Sequence, residues 1–288
     1  MAIILIVGAT RGLGASITKQ YAAKSANTVY GTTRSPEETK DFPTEVRWLP
    51  GIDLTHSNVG ERLASLLDPS HPVDTMIITA GYFATEDLTA DKGPNWEQEL
   101  RMYTTSSIAP VFIVHHLVHK GLLREGSKVV LVSSESGSIA LRHPKEGGGN
   151  YAHHASKAAL NMVGRLLSLD LKDQGVIVSI VHPGFMRTDM TKGVGFDKFW
   201  DEGGGESARI PPIDGAMWLL TNVCDGLAVA PDEAATSLIQ WTDKLDINKT
   251  GEYWAPRGPG EFVPEMGDIG TAEAVLGKDL ATPLKLPW

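Results

Sequence analysis

Short apolar runs alternate along the chain with stretches in which apolar residues recur every three or four positions. The runs are Ile3–Val7, Thr28–Thr32, Val46–Leu49, Val73–Thr79, Lys128–Ser133, Val176–Val181 and Gly251–Trp254. Most are rich in Val and Ile, and strands that apolar are covered on both faces, as in parallel sheets. The periodic stretches predict helices over Leu13–Ser25, Ser57–Leu67, Asn95–Lys120, Ala152–Gln174 and Pro231–Leu245. Strict alternation predicts an α/β chain: a Rossmann-type, doubly wound parallel sheet of about seven strands flanked by helices, in one domain over residues 1–254.

Three stretches break the pattern. Glu146–Gly149 reads as a glycine-rich loop before a helix. Residues from Thr191 to Pro212, with Gly203, Gly204 and Gly205, read as a mobile segment that covers a site over about 190–212. The tail from Ala255 to Trp288 is rich in Pro and Gly and is expected to pack on the same domain.

Composition narrows the classes. Of 288 residues, 42% are hydrophobic, which excludes global disorder. Lys and Arg number 26 against 35 Asp and Glu, a net charge of −9, which is the wrong sign for a nucleic-acid binder. Cys224 is the single cysteine, so an intrachain disulfide framework and a cysteine-cluster metal site are excluded. No run approaches the roughly 18 apolar residues of a membrane span. Ile3–Val7 lacks a basic flank and runs straight into a glycine loop, so it reads as a strand rather than a signal core, and a cytoplasmic protein is expected.

The loop is Gly8-Ala9-Thr10-Arg11-Gly12-Leu13-Gly14, set between the first strand and the first helix. Small residues there let the backbone turn tightly and let a pyrophosphate approach a helix N-terminus. The spacing is G-x-x-x-G-x-G, not G-x-G-x-x-G. Five further motifs follow in order: Asp53-Leu54, Thr79-Ala80-Gly81, Ser133-Ser134-Glu135-Ser136-Gly137-Ser138-Ile139, Ser156-Lys157-Ala158-Ala159-Leu160-Asn161-Met162, and His182-Pro183-Gly184-Phe185-Met186-Arg187-Thr188-Asp189-Met190. Together these residues resemble the classical short-chain dehydrogenase/reductase family, most closely its C-factor/Sniffer-type carbonyl reductases, from Ala2 to about Trp254.

The end of the second strand reads Thr32-Thr33-Arg34-Ser35, with no acid to grip a ribose 2′-hydroxyl. Arg34, with Arg11 from the glycine loop, suits a 2′-phosphate, so the expected cofactor is NADP(H). The resemblance further implies that Asp53 hydrogen-bonds the adenine, Leu54 packs on it, Ala80 and Gly81 line the adenosine ribose, and Pro183, Gly184 and Thr188 sit at the nicotinamide end. Thr10, Gly12 and Leu13 belong to the same cradle. Thr79 stands where the family usually has Asn.

The family's chemistry uses Ser, Tyr and Lys with an Asn relay. The serine orients the carbonyl, the tyrosine gives the proton, and the lysine lowers the tyrosine pKa and holds the nicotinamide ribose. Ser134 matches the serine, with Ser138 as the alternative, and Lys157 matches the lysine. Four residues before Lys157, where the tyrosine would share its helical face, stands His153. Ser106 stands in the relay position. Tyr151 is a second candidate acid, but on one helix it and Lys157 point about 120° apart, so they meet only if Tyr151 lies outside the helix. An imidazole titrates near ~6.5 and a phenol near ~10, and Lys157 with the nicotinamide would depress the imidazolium further. His153 would therefore act through a water with an acid-shifted pH profile. Tyr82 is another phenol near the site.

The reading is an NADPH-dependent carbonyl or enone reductase with an altered proton donor. The alternative is the same fold retained for cyclisation, isomerisation, dehydration or cofactor sensing. Phe185, Phe196, Phe199, Trp200 and Trp218 suit an apolar or aromatic small molecule. His115, His116 and His119 read as interface or surface residues rather than metal ligands, and no metal is expected. A Ser-His-Asp hydrolase is rejected because no Gly-x-Ser-x-Gly elbow is present. The family implies a homodimer or homotetramer through the helices at Asn95–Lys120 and Ala152–Gln174.

Overall fold

The computed structural model describes residues 2–35, 39–91, 93–142, 148–197, 200, 228–258, 275–277 and 279–288. Glu146, Phe199, Gly203, Gly204, Gly205, Trp218 and Cys224 lie outside them, as does most of the expected covering segment.

The strands are β1 (Ala2–Val7), β2 (Asn27–Thr33), β3 (Arg47–Pro50), β4 (Thr75–Ile78), β5 (Lys128–Val132), β6 (Ile177–Val181), β7 (Glu252–Ala255) and β8 (Leu284–Lys285). They form one sheet in the order β3-β2-β1-β4-β5-β6-β7-β8. All neighbours are parallel except β7 and β8, which pair antiparallel through Trp254–Lys285 and Ala255–Leu284. The chain runs outward from β1 to β3, then returns to place β4 on the other side of β1. That reversal opens a crevice at the carboxyl ends of the strands.

The helices are α1 (Gly12–Ala22), α2 (Val59–Ser65), α3 (Trp96–Tyr103), α4 (Ala109–His119), α5 (Tyr151–Leu171), α6 (Asp189–Gly193) and α7 (Pro231–Asp243). Alternate strand residues serve opposite faces of the sheet. Leu5, Val7, Met76, Ile78, Val129 and Leu131 meet Leu63, Ile113, Leu117 and Leu160 of α2, α4 and α5. Ile4, Ile6, Ile77 and Val130 meet Ile17 and Tyr21 of α1 and Leu238, Ile239 and Trp241 of α7. Both layers are needed to cover strands this apolar. Each fully buried aliphatic side chain contributes about 1.5–3 kcal/mol.

Two expectations are corrected. The single helix expected over Asn95–Lys120 is α3, a π-helical turn at Thr104–Ile108, and α4. Pro110 has no N–H for the carbonyl four residues back, so the ladder widens there. The hydroxyls of Thr104, Thr105 and Ser107 bond the carbonyls of Leu100, Arg101 and Tyr103 at 2.7–2.9 Å. The sheet also has an eighth strand, drawn from the tail. Leu284 and Leu286 pack with Leu141, Ile180 and Tyr253. The Trp288 ring stacks on Tyr253 at 5.8 Å, and the Trp288 carbonyl accepts the Ala140 N–H at 2.9 Å. Two paired residues carry too little periodicity to be read from sequence. Among the described residues no helix is long and apolar enough to cross a membrane.

Candidate active site

A cavity of about 650 Å³ fills the crevice where the strand order reverses. Gly8, Thr10, Arg11, Gly12, Leu13, Gly14, Arg34, Asp53, Leu54, Ala80, Gly81, Lys157, Pro183, Gly184 and Thr188 all line it. These are the fifteen positions expected around the cofactor.

Two positions of the glycine loop, Gly8 and Gly14, have no room for a side chain. Gly8 has φ +92°, and a Cβ there would lie 2.7 Å from the Ala80 amide nitrogen. A Cβ on Gly14 would lie 2.0 Å from the Gly8 carbonyl oxygen. Thr79 tethers the loop by donating to the carbonyls of Gly8 at 3.0 Å and Val7 at 3.2 Å. Arg11 is the N-cap of α1 and supplies no side-chain cap, so the first N–H groups of that helix face the cavity free of a capping side chain. This cradle fits a dinucleotide pyrophosphate.

At the far end, Thr32, Thr33 and Arg34 face Asp53 and Leu54. Burial works against the charge on Asp53, but hydrogen bonds from the Thr55 amide and hydroxyl, with His56 and Arg34 nearby, hold its pKa below the usual value. At the near end, Thr188 caps α6 in a reciprocal arrangement with Thr191.

Ser134 lines the cavity and caps the 3₁₀ turn Glu135–Gly137, its Oγ 2.5 Å from that of Ser136. Ser138, the alternative, is fully buried, and its Oγ accepts the Leu141 N–H. The loop is pinned from both sides. The Tyr253 hydroxyl donates to the Ser134 carbonyl, the Ser133 hydroxyl donates to Asn161 Oδ1 at 2.6 Å, and Asn161 Nδ2 donates to the Gly137 carbonyl.

Lys157 is buried and donates from Nζ to the Val132 carbonyl at 2.9 Å. Burial pushes its pKa down to about 8. His153 lies one turn earlier on α5 and also lines the cavity. Burial first, then His154, Lys157 and Arg142, hold its pKa well below the ordinary imidazole value. Phe83 stacks on its ring with centroids 4.1 Å apart.

Two candidates stand apart. Tyr151 is the first residue of α5, 45% exposed, and does not line the cavity, so the helix keeps it away from Lys157. Ser106 is buried in the π-helical turn, off the cavity wall, where Thr105 faces in instead. Of the expected substrate contacts, Tyr82, Phe185 and Phe196 line the cavity. Trp200 does not; its carbonyl accepts from Arg187 at 2.9 Å. Tyr82 lies under the Arg101 guanidinium at 4.1 Å.

Phe83, Glu135, Arg142, His154 and His182 line the cavity without having been singled out for it. Glu135 and Arg142 form an ion pair at 3.2 Å. The Glu135 N–H donates to His182 Nδ1, and burial lowers the His182 pKa to about 4. For Phe83 the available signal was its place beside Tyr82 after a strand that ends at the cavity; the ion pair had none, since it depends on a loop closing on itself.

A family model described as short chain dehydrogenase matches residues 2–198. The chain is 28% identical over 224 residues to a 1-hydroxy-2-glutathionyl-2-methyl-3-butene dehydrogenase of a Rhodococcus species, covering 77% of this chain and 91% of that one. Among solved structures it is similar to the carbonyl reductase Sniffer of D. melanogaster, with TM-score 0.65 and 22% identity over 92% of this chain and 98% of that one. It is also similar to an NADPH-bound carbonyl reductase from chicken fatty liver, with TM-score 0.66 and 19% identity over 91% and 93% of the two chains.

Proposed function

The chain belongs to the short-chain dehydrogenase family, and from that premise we propose that it is an NADP(H)-dependent oxidoreductase that reduces a carbonyl or activated double bond of a small apolar or aromatic molecule. The observation that carries this reading is the continuity of one cavity from Arg34 through the glycine loop to Lys157 and His153.

In this reading Arg11 and Arg34 hold the 2′-phosphate, the N-terminus of α1 holds the pyrophosphate, and Asp53 and Leu54 hold the adenine. Ala80 and Gly81 line the adenosine ribose, and Pro183, Gly184 and Thr188 bound the nicotinamide end. The NADPH bound in the avian reductase supports the choice of cofactor. Once bound, the reduced nicotinamide would supply the hydride. Ser134 orients the substrate oxygen, Lys157 holds the ribose with its ammonium, and Phe83, Phe185 and Phe196 close an apolar slot over the ligand. Exposed Val111 and Phe112 on α4, with Met162, Leu166 and Leu169 on α5, support a homodimer or homotetramer.

One observation favours the second reading, in which the fold serves non-redox chemistry or cofactor sensing. Among the described residues, the one tyrosine lining the cavity is Tyr82, and it carries Arg101 on its ring. Incubation with NADPH and a ketone or enone probe distinguishes the two. Protein-dependent consumption of NADPH with the reduced probe found by mass spectrometry supports the reductase. Binding of NADPH with no turnover of any probe overturns it.

A further inference from the structure

The two ring nitrogens of His153 have different surroundings. Nδ1 is sealed from solvent and has no hydrogen-bond partner among the described residues. Nε2 also has no hydrogen-bond partner among the described residues, but it is not sealed, on a ring that lines the cavity. An imidazolium carries a proton on both nitrogens and needs an acceptor for each. Here one of the two would be a buried N–H with nothing to accept it, at a cost of about 1–3 kcal/mol. The Nδ1–H neutral tautomer suffers the same penalty. The Nε2–H tautomer leaves only a bare lone pair buried and turns its donor to the cavity.

The neighbours point the same way. His154 and Lys157 on the same helix and Arg142 from the loop after β5 are the groups whose charges oppose one on this ring. Phe83, from the loop after β4, covers the ring face with 27° between planes. Phe83 meets Phe196 edge-on at 5.5 Å, and Phe196 is itself buried, so the stack is held from behind.

We infer that His153 works as an uncharged imidazole with its proton fixed on Nε2, a hydrogen-bond donor to the substrate oxygen rather than an acid, with Phe83 as the residue that positions it. Neutral imidazoles can polarise a carbonyl in this way. The donor role rests on the reductase reading, whereas the protonation state does not. As the carbonyl carbon takes a hydride, with both its electrons, from the reduced nicotinamide, the oxygen becomes an alkoxide held by Nε2–H. The alkoxide then takes its proton from water, leaving hydroxide, and the ring stays neutral throughout. A strong donor that is not an acid suits carbonyls whose reduced oxyanion is already stabilised, such as aromatic dicarbonyls and enones.

The test is NMR of the full chain labelled with ¹⁵N-histidine, without cofactor or substrate. The His153 ring signals are identified by their loss in His153→Phe or, should that variant not fold, by elimination with variants of the other histidines. The expected spectrum has one protonated nitrogen, coupled to both ring carbon-bound hydrogens as Nε2 is, unchanged between about pH 5 and 8. A ring that titrates in that range, or a protonated Nδ1, overturns the inference whether or not NADPH binds. For the donor role, His153→Phe keeps the stack and removes the N–H. Reduction of 9,10-phenanthrenequinone should lose roughly a hundredfold or more in kcat, with NADPH affinity unmoved. Undiminished turnover by the variant, or none by the unaltered protein, overturns that role.

Discussion

Lys157 Nζ donates to the Val132 carbonyl across 2.9 Å, which ties the first half of α5 to the end of β5 and holds an ammonium inside the protein. One hydrogen bond does not replace the water that ammonium has lost. With a folded pKa of about 8, against about 10.4 for the unfolded chain, the cost is fully present below pH about 8 and is relieved as pH rises toward the unfolded value. Lys157→Met is expected to raise stability on the order of 2–3 kcal/mol at neutral pH, seen as a higher Tm, while abolishing probe reduction. A lower Tm would show that the lysine is compensated by contacts beyond Val132.

The cationic end of the cavity should decide between cofactors. Arg34→Glu is expected to weaken NADPH binding roughly 10–100-fold, the value of one or two charge-assisted hydrogen bonds, and to leave NADH binding nearly unchanged. Equal losses for the two nucleotides would mean that Arg34 supports the fold of the loop rather than the 2′-phosphate.

Gly14→Ala would put a Cβ 2.0 Å from the Gly8 carbonyl oxygen and 2.6 Å from Thr79 Oγ1. Neither backbone nor tether can retreat without opening the cradle. The expected cost is about 3 kcal/mol, a Tm lower by roughly 5–10 °C, together with loss of nucleotide binding. A variant of unchanged Tm that still binds NADPH would contradict the close packing of this turn.

Glu86 Oε1 accepts the Ala152 N–H in the first turn of α5 at 2.8 Å. A hydrogen bond to Glu86, then burial and the charge of Glu86, push the Glu99 pKa up to about 7. A raised carboxyl pKa means the folded chain keeps a proton that the unfolded chain has lost. Stability is then fully present below the ordinary Glu range, about 4.3, and falls as pH rises through about 7. Glu99→Gln supplies a permanent donor and should flatten that dependence in Tm measured against pH. An unaltered slope would show that the two side chains do not share a proton.

Much of the fold follows from the chain's periodicity. Seven apolar runs become β1 to β7; β1, β4, β5 and β6, buried on both faces, carry the aliphatic runs, whereas β2, β3 and β7 are shorter on Val, Ile and Leu and were placed by the alternation around them. The glycine-loop end of the cavity was equally legible as a lining: the family resemblance pointed to Gly8, Gly14, Asp53 and Gly184, and all four line it. The end of the cavity at Lys157 was legible only in part. Spacing put His153 and Lys157 on one helix face, but the Phe83 stack, the Glu135–Arg142 ion pair and the Tyr253 tether of Ser134 join residues tens of positions apart or close a loop on itself. The break at Thr104–Ile108 escaped because apolar residues recur on both sides of it, although the polar run Thr104–Ser107 and Pro110 marked the place.

The most direct test of the account is a fluorescence titration of the purified protein with NADPH and, in parallel, NADH, read by energy transfer from its seven tryptophans. Saturable, tight binding of NADPH with markedly weaker NADH is the expected result. No binding of either nucleotide would contradict the assignment of the cavity to a dinucleotide, and with it the reductase.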